Sequence, residues 1–357
     1  MNAAVKAQTL PILDFREFDG GPAQRSAFLE KLRVAARDTG FFYLVGHGIE
    51  QEFLDQLFAL SRRFFDLPEA EKTAVEMINS PHFRGYTRIG WEHTRGQRDW
   101  REQLDVGAER ERLTPKAGDP AWVRLQGPNQ WPQALPELRP AILRWQREAT
   151  DLAIRLVRAF SAALGQDEGV FEPIYAEKPN QLVKIIRYPG RDATESEQGV
   201  GAHKDSSFVT ILAQHEQSGL QVEGPQAGID GGWIDAPPLR GSFIINVGEL
   251  LEMASNGYLR ATMHRVTTPP AGTDRLSIAF FLGARLDSVV PVLTLSPELA
   301  AEAKGVAQDP QNPLFLEVGK NYLKGRLRSH PDVARRHYAD QLTQEELAKP
   351  AGPGSAY

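Results

Sequence analysis

Short apolar runs rich in β-branched and aromatic residues fill the second half of the chain, and they constrain its fold more than any other feature. These runs cover residues 182–187, 208–213, 220–222, 233–234, 242–247, 264–267 and 276–282. Turns rich in proline and glycine separate them, such as Tyr188-Pro189-Gly190. Short strands at this spacing are typical of an all-β sandwich or barrel. The sequence therefore predicts a jelly roll here.

Helical periodicity marks the first half of the chain. Apolar residues recur at helical spacing over residues 23–39, 51–65 and 136–164, and a buried strand is predicted at 41–45. We predict a mostly β core flanked by α-helices. Its predicted parts are a helical region at 1–175 packed on the barrel, a jelly-roll core at 176–285 and a helical tail or lid at 286–357.

Composition excludes several classes of protein. The chain of 357 residues has a formal net charge of -5 and no basic run, whereas nucleic-acid-binding proteins usually carry a basic face. No stretch approaches the roughly 18 apolar residues of a membrane span, and the N-terminus does not resemble a secretory signal. We therefore expect a cytoplasmic protein with a small-molecule substrate and neither a nucleic-acid nor a membrane partner.

The chain contains no cysteine. This excludes disulfides, iron-sulfur clusters, thiolate haem ligation and cysteine-based zinc sites. A transition metal would have to bind histidine and carboxylate side chains. That ligand set suits iron(II), manganese or catalytic zinc.

His203-Lys204-Asp205 sets an imidazole and a carboxylate two residues apart. On a strand both would lie on one face, and two histidines with one carboxylate form the facial site of oxygen-activating iron(II) enzymes. His264 is the expected third ligand, because it opens another predicted strand. A surface histidine beside a solvated aspartate is the alternative for the tripeptide alone. His47, in a turn, and His215, in a loop, are expected not to bind metal.

Several ordered runs resemble the isopenicillin N synthase-like branch of the 2-oxoglutarate/iron(II)-dependent oxygenases. They occupy residues 38–49, 99–105, 201–212, 245–257, 263–266 and 274–280. The resemblance implies a distorted double-stranded β-helix, or jelly roll, with Fe(II) at one mouth on His203, Asp205 and His264. It also implies 2-oxoglutarate and O2 as co-substrates in the hydroxylation, desaturation or cyclisation of a small molecule.

Arg275 and Ser277 stand two apart on a predicted strand, so their side chains share a face suited to a carboxylate. In the resembling family such an Arg-x-Ser pair holds the distal carboxylate of 2-oxoglutarate, and a tyrosine matching Tyr188 assists. The alternative to anion binding is that Arg275 forms an ion pair with Asp274 and has a structural role. The sequence departs from plant members at Ile186, where those usually have asparagine.

Two other functions remain open from the sequence. Isopenicillin N synthase itself is an iron oxidase that uses no 2-oxoglutarate and binds the carboxylate of its substrate with an Arg-x-Ser pair. A non-catalytic jelly-roll protein that binds a small anion through Arg275 is the second alternative.

Substrate-binding residues are predicted from two sources. Residues 83–88 resemble the family segment that crosses the barrel mouth, which makes Arg84, Tyr86 and Arg88 candidates, and a carboxylate-bearing substrate would suit the arginines. Phe243 and Phe281 are candidate pocket aromatics on strands. Arg326 and Arg328 are assigned to a C-terminal lid.

Overall fold

Two β-sheets form the centre of the molecule in the computed structural model, which describes residues 9–192, 198–224, 232–306 and 312–348. The strands of the larger sheet are, in spatial order, β1 (Ile12–Asp14), β2 (Phe41–Val45), β12 (Phe243–Val247), β9 (Val209–Gln214), β14 (Asp274–Gly283), β7 (Asn180–Pro189), β6 (Glu102–Gly107) and β3 (Gly85–Thr87). Those of the smaller sheet are β11 (Trp233–Asp235), β10 (Leu220–Glu223), β13 (His264–Thr267) and β8 (Gln198–His203). A separate hairpin pairs β4 (His93–Thr94) with β5 (Gln97–Arg98).

The two sheets pack against each other through apolar side chains. Tyr188 on β7, Val200 on β8, Leu220 on β10 and Ile244 on β12 belong to one buried cluster between them. Apart from the parallel pair β1 and β2, the ladders between the named strands are antiparallel. This arrangement confirms the predicted jelly-roll core.

Helices flank the sheets, and those of the N-terminal half pack on the larger sheet. The helices are α1 (Pro22–Asp38), α2 (Gln51–Phe65), α3 (Glu69–Thr73), α4 (Leu138–Ala163), α5 (Glu172–Tyr175), α6 (Glu249–Ala254), α7 (Pro297–Glu302), α8 (Val318–Ser329), α9 (Pro331–His337) and α10 (Gln344–Ala348). Helix α4 buries Trp145, Ala149, Leu156 and Phe160 at helical spacing, and this face packs into the main core. Gly165 ends that segment with a positive φ of 72°. The predicted flanking helices are confirmed.

Five strands were not predicted from the sequence, namely β3, β4, β5, β6 and β8. In β6 all six residues are buried although Glu102, Gln103 and Asp105 are polar. Buried cations pair with the two acids, for example Lys72 Nζ with Glu102 Oε2 at 3.1 Å. A strand whose buried face carries ion pairs lacks the apolar signal on which sequence prediction depends.

The N-terminal segment contributes strands as well as helices to the core. Strand β2 pairs with β12, and β6 pairs with β7, so the larger sheet contains strands from both sides of residue 175. Within the described parts of the chain, no helix is both long and apolar enough to cross a membrane.

Candidate metal centre

Strand pairing brings the two predicted histidine ligands together. Strand β8 ends at His203, strand β13 begins at His264, and the two residues are directly paired in the antiparallel ladder. Their ring centroids lie 4.2 Å apart. Asp205 follows β8 by two residues and lies in the connection to β9. The prediction that it lies on the same strand as His203 is therefore wrong.

The three side chains converge on one point. Asp205 Oδ1 lies 3.5 Å from His203 Nε2 and 3.6 Å from His264 Nε2. One ligand atom from each residue lies within 4.8 Å of the others, so these three side chains could hold a metal ion together. Two imidazole nitrogens and one carboxylate oxygen match the facial donor set that iron(II) accepts.

The remaining polar atoms of these side chains bind the protein. His203 Nδ1 lies 2.8 Å from the carbonyl oxygen of Gly201, and His264 Nδ1 lies 3.1 Å from that of Thr262. A proton on each Nδ1 satisfies both carbonyls and leaves each Nε2 lone pair directed at the shared point.

Electrostatics in this cluster keeps the carboxylate ionised. Burial alone raises the pKa of Asp205, but His264 and His203 beside it lower that pKa below its ordinary value. Burial, together with the charge of His203, lowers the pKa of His264 to about 4. The neutral imidazole and the anionic carboxylate are the forms that bind a metal ion.

Arg275 is a buried cation on β14 at the side of the same cavity. Its Nη1 lies 3.3 Å from Ser277 Oγ, and its Nη2 donates to Gln214 Oε1 at 2.8 Å. Its guanidinium carbon lies 5.0 Å from the ring centroid of Tyr188, the residue opposite it in the ladder. Burial lowers the pKa of Arg275. Among the described residues no carboxylate lies within ion-pair distance of it, and Asp274 instead lies 3.8 Å from Arg187.

A cavity of about 500 Å³ is lined by the three candidate metal ligands and by Tyr188, Arg275 and Ser277. Its apolar wall includes Ile186, Leu212, Leu220, Val266 and Phe281. Its cationic residues are Arg95, Arg101, Lys184, Lys204, Arg275, Lys324 and Arg328. Its acidic residues are Glu92, Asp205 and Glu249. A volume of this size is typical of a site for small molecules.

An ion-pair network in the cavity wall was missed by the sequence analysis. Glu92 accepts hydrogen bonds from Arg101 at 2.8 Å and from Lys184 at 2.9 Å. Burial alone raises the pKa of Glu92, but the charges of Arg101 and Lys184 hold it well below its ordinary value. Because Glu92 and Lys184 are 92 positions apart, local sequence patterns do not connect them.

Two polar supports of the metal cluster were also missed. Thr210 and Asn246 both donate to Asp205 Oδ2, at 2.6 and 2.9 Å. Each is a buried polar residue with apolar neighbours on both sides in its strand. A polar residue among apolar strand residues could have identified both from the sequence, because a buried polar side chain needs a hydrogen-bonding partner.

Of the five residues predicted to bind substrate, the structure brings only Phe281 to the described wall of the cavity. Arg84 and Tyr86 are buried elsewhere, and the Tyr86 hydroxyl donates to Glu102 at 2.6 Å. Arg88 forms an ion pair with Glu76 at 2.7 Å. Phe243 packs in the main core against Trp145. We therefore correct the predicted substrate set and retain Phe281.

The other singled-out residues have structural contacts. His47 Nδ1 accepts from the backbone N–H of Ile49 at 3.2 Å, and the His215 ring lies 5.0 Å from that of Phe58. Neither histidine belongs to the metal cluster. Arg326 is buried and donates to Asp105 at 2.9 Å, whereas Arg328 on the same helix lines the cavity.

Comparison with known proteins shows which families and relatives the sequence is similar to. Residues 10–134 match the family model described as non-haem dioxygenase in morphine synthesis N-terminal, and residues 179–284 match the 2OG-Fe(II) oxygenase superfamily. The 2-oxoglutarate-dependent dioxygenase frbJ of Dothideomycetidae sp. is 34% identical over 92% of this chain and 91% of its own length. A homoarginine-6-hydroxylase of Arabidopsis thaliana is 35% identical over 78% of this chain and 83% of its own.

Solved structures agree on the architecture. A Neurospora crassa protein crystallised with alpha-KG and thymine superposes with a TM-score of 0.71 at 23% identity, covering 95% of this chain and 99% of that one. JOX2, crystallised with 2OG, Fe and JA, gives a TM-score of 0.68 at 25% identity, covering 92% and 89%.

Proposed function

The chain belongs to the 2OG-Fe(II) oxygenase superfamily, and from that premise we propose which of its residues perform the reaction. Fe(II) binds to His203 Nε2, Asp205 Oδ1 and His264 Nε2. The distal carboxylate of 2-oxoglutarate binds to Arg275 and Ser277, with Tyr188 beside them. The reaction couples decarboxylation of 2-oxoglutarate by O2 to oxidation of a small organic molecule.

The convergence of three ligand atoms within 4.8 Å is the observation that carries the metal assignment. The donor set fits Fe(II), and the atoms not needed for the metal already hold protein partners. These three residues would hold the ion at the wall of the cavity, where small molecules could reach it.

The co-substrate assignment is supported by the environment of Arg275. A guanidinium that is buried without a carboxylate partner is costly in free energy, unless a bound anion neutralises its charge. Ser277 Oγ, 3.3 Å from Nη1, supplies a hydroxyl next to the same face. A planar guanidinium binds both oxygens of a carboxylate, and the hydroxyl provides a further hydrogen bond.

The two alternatives have less support. The aligned relatives are named as 2-oxoglutarate-dependent enzymes and hydroxylases, which favours a dioxygenase over an oxidase that does not use 2-oxoglutarate. They equally disfavour a non-catalytic anion-binding protein.

When bound, the iron would supply the activation of O2, and O2 would be the oxidant: it would take two electrons from 2-oxoglutarate, giving succinate and CO2, and two from the C–H bond of the substrate. The residues of this chain orient the two co-substrates and exclude water. Asp205 and the two histidines fix the metal, Arg275 fixes the far end of the keto acid, and the apolar wall with Phe281 surrounds the C–H bond to be oxidised.

Succinate formation tests this function. Protein supplied with Fe(II), O2 and 2-oxoglutarate should release succinate slowly alone and faster with a compound that it oxidises. Arg275→Ala should abolish the release at low 2-oxoglutarate concentration and recover part of it at high concentration. Succinate release that is independent of added Fe(II) or unaffected by His264→Ala would refute the assignment.

A further inference from the structure

The hairpin of β4 and β5 places an arginine on the wall of the cavity. His93 pairs with Arg98 and Thr94 pairs with Gln97, so Arg95 and Gly96 form a two-residue turn. Arg95 is exposed, yet it lies on the cavity wall, and its Nη2 is 3.7 Å from the sulfur of Met263. Met263 directly precedes the ligand His264. Arg95 therefore reaches the side of the cavity where the metal cluster lies.

The hairpin is anchored to the strand that bears His203. Thr94 donates to Asp99 Oδ2 at 2.8 Å, and Asp99 Oδ1 accepts from the backbone N–H of Gly201 at 3.2 Å. A Cβ at Gly201 would lie 2.9 Å from the Thr94 methyl carbon, so any other residue there would force Thr94 to shift. Asp99 is fully buried. The position of Arg95 is thus fixed relative to the metal cluster.

The turn is built with an unfavourable residue. Arg95 has a φ of +52° and Gly96 a φ of +77°. Turns with two positive φ angles favour asparagine or glycine at both positions, and a residue with a long side chain costs about 1 kcal/mol or more there. Strained residues of this kind concentrate at functional sites. An arginine at this unfavourable position is therefore a candidate for a functional role of its side chain.

The neighbouring cations have protein partners. Arg101 and Lys184 bind Glu92, and Lys204 donates to both carboxylate oxygens of Glu252. On helix α8, Lys324 donates to a backbone carbonyl and Arg328 to an asparagine amide oxygen.

Arg95 differs from these cations. Its Nη2 contacts the thioether of Met263, and among the described residues no carboxylate lies within 4 Å of its guanidinium. With Arg275 assigned to 2-oxoglutarate, Arg95 is the cavity cation best placed for a second anion. We propose that Arg95 binds a carboxylate of the primary substrate and selects acids over their neutral analogues. This proposal rests on the proposed function, because it assumes that 2-oxoglutarate occupies Arg275.

A library of small carboxylic acids, each paired with its primary amide, tests the proposal. Suitable pairs are benzoate with benzamide, phenylacetate with phenylacetamide, and indole-3-acetate with indole-3-acetamide. Binding to the full chain loaded with Fe(II) and 2-oxoglutarate is measured without oxygen by calorimetry and thermal shift. The wild-type protein should prefer the acids.

Arg95→Asn should weaken binding of the acids by about ten- to a hundred-fold and leave the amides unchanged. Asparagine tolerates the left-handed conformation, so this variant should melt no lower than the wild type. Arg95→Lys should recover part of the affinity. The matched control is Arg98→Gln, on the same hairpin but outside the described cavity wall, and it should keep the acid preference.

Equal binding of acids and amides by the wild type, or an undiminished acid preference in Arg95→Asn, would overturn the proposal. Fe(II) and 2-oxoglutarate binding are measured in parallel. If the wild-type protein binds neither Fe(II) nor 2-oxoglutarate, the proposed function is refuted. If Arg95→Asn binds both and still prefers acids, only the role of Arg95 is refuted.

Discussion

Thr210 donates its hydroxyl proton to Asp205 Oδ2 at 2.6 Å. This bond restrains the carboxylate so that its other oxygen, Oδ1, faces His203 and His264. Thr210→Val, which keeps the shape of the side chain, should weaken Fe(II) binding by about 10- to 100-fold. Thr210→Ser keeps the hydroxyl and serves as the control. Anaerobic calorimetry checks both variants, and unchanged affinity in Thr210→Val would show that the bond does not support the metal.

Removal of a proposed ligand should cost metal binding but not folding. His203→Ala and Asp205→Ala should retain the wild-type circular dichroism spectrum and bind Fe(II) too weakly to titrate. His47→Ala and His215→Ala, which change histidines outside the cluster, should bind about one equivalent. A requirement for either of those two residues would contradict the assigned triad.

The charge of Arg275 should dominate 2-oxoglutarate binding. Arg275→Ala should cost about 2–5 kcal/mol, the range for truncating one partner of a buried charge pair. That is roughly 30- to several-thousand-fold in dissociation constant. Ser277→Ala should cost about 1–3 kcal/mol, and Arg275→Lys should recover part of the loss. The measurement is the visible absorption of the anaerobic Fe(II) protein titrated with 2-oxoglutarate. A larger loss in Ser277→Ala would contradict the assignment.

His330 should make stability depend on pH. It is buried, and burial lowers its pKa to about 3 from the ordinary 6.5. Between these values the unfolded chain binds a proton that the folded protein does not, so the free energy of unfolding falls as pH falls from 6.5 towards 3. The slope reaches about 1.4 kcal/mol per pH unit from this group.

His330→Gln should reduce that slope in urea denaturation measured between pH 4 and pH 7. Phe83→Leu is the control, because the Phe83 ring packs 5.9 Å from that of His330 and does not titrate. It should lower the free energy of unfolding by a similar amount at every pH. An unchanged slope in His330→Gln would contradict the buried neutral histidine.

The predicted segments 1–175, 176–285 and 286–357 should behave as one folding unit. Strand β6 pairs with β7 over six residues and β2 pairs with β12, so cutting near residue 175 would expose edges of the larger sheet. Limited proteolysis should therefore release no stable fragment confined to residues 176–285. A soluble, metal-binding fragment of that extent would contradict the prediction.

Local sequence determined the helices and most core strands. Apolar residues at helical spacing located α2 and α4 closely, because the period of a buried face is encoded in neighbouring residues. The two histidines and the aspartate were located by their motifs. The strand geometry assumed for Asp205 was wrong, since β8 ends at His203 and the aspartate lies in the following connection.

Tertiary structure decided which polar residues reach the cavity. Arg84 and Arg95 are both arginines near short strands of the N-terminal half, and the sequence gives no reason to prefer Arg95. The hydrogen bond from Gly201 N–H to Asp99 holds the hairpin that bears Arg95 beside the cavity, whereas Arg84 is buried away from the cavity. Such contacts join residues about a hundred positions apart. They depend on how the strands assemble, which the periodicity of a single segment does not encode.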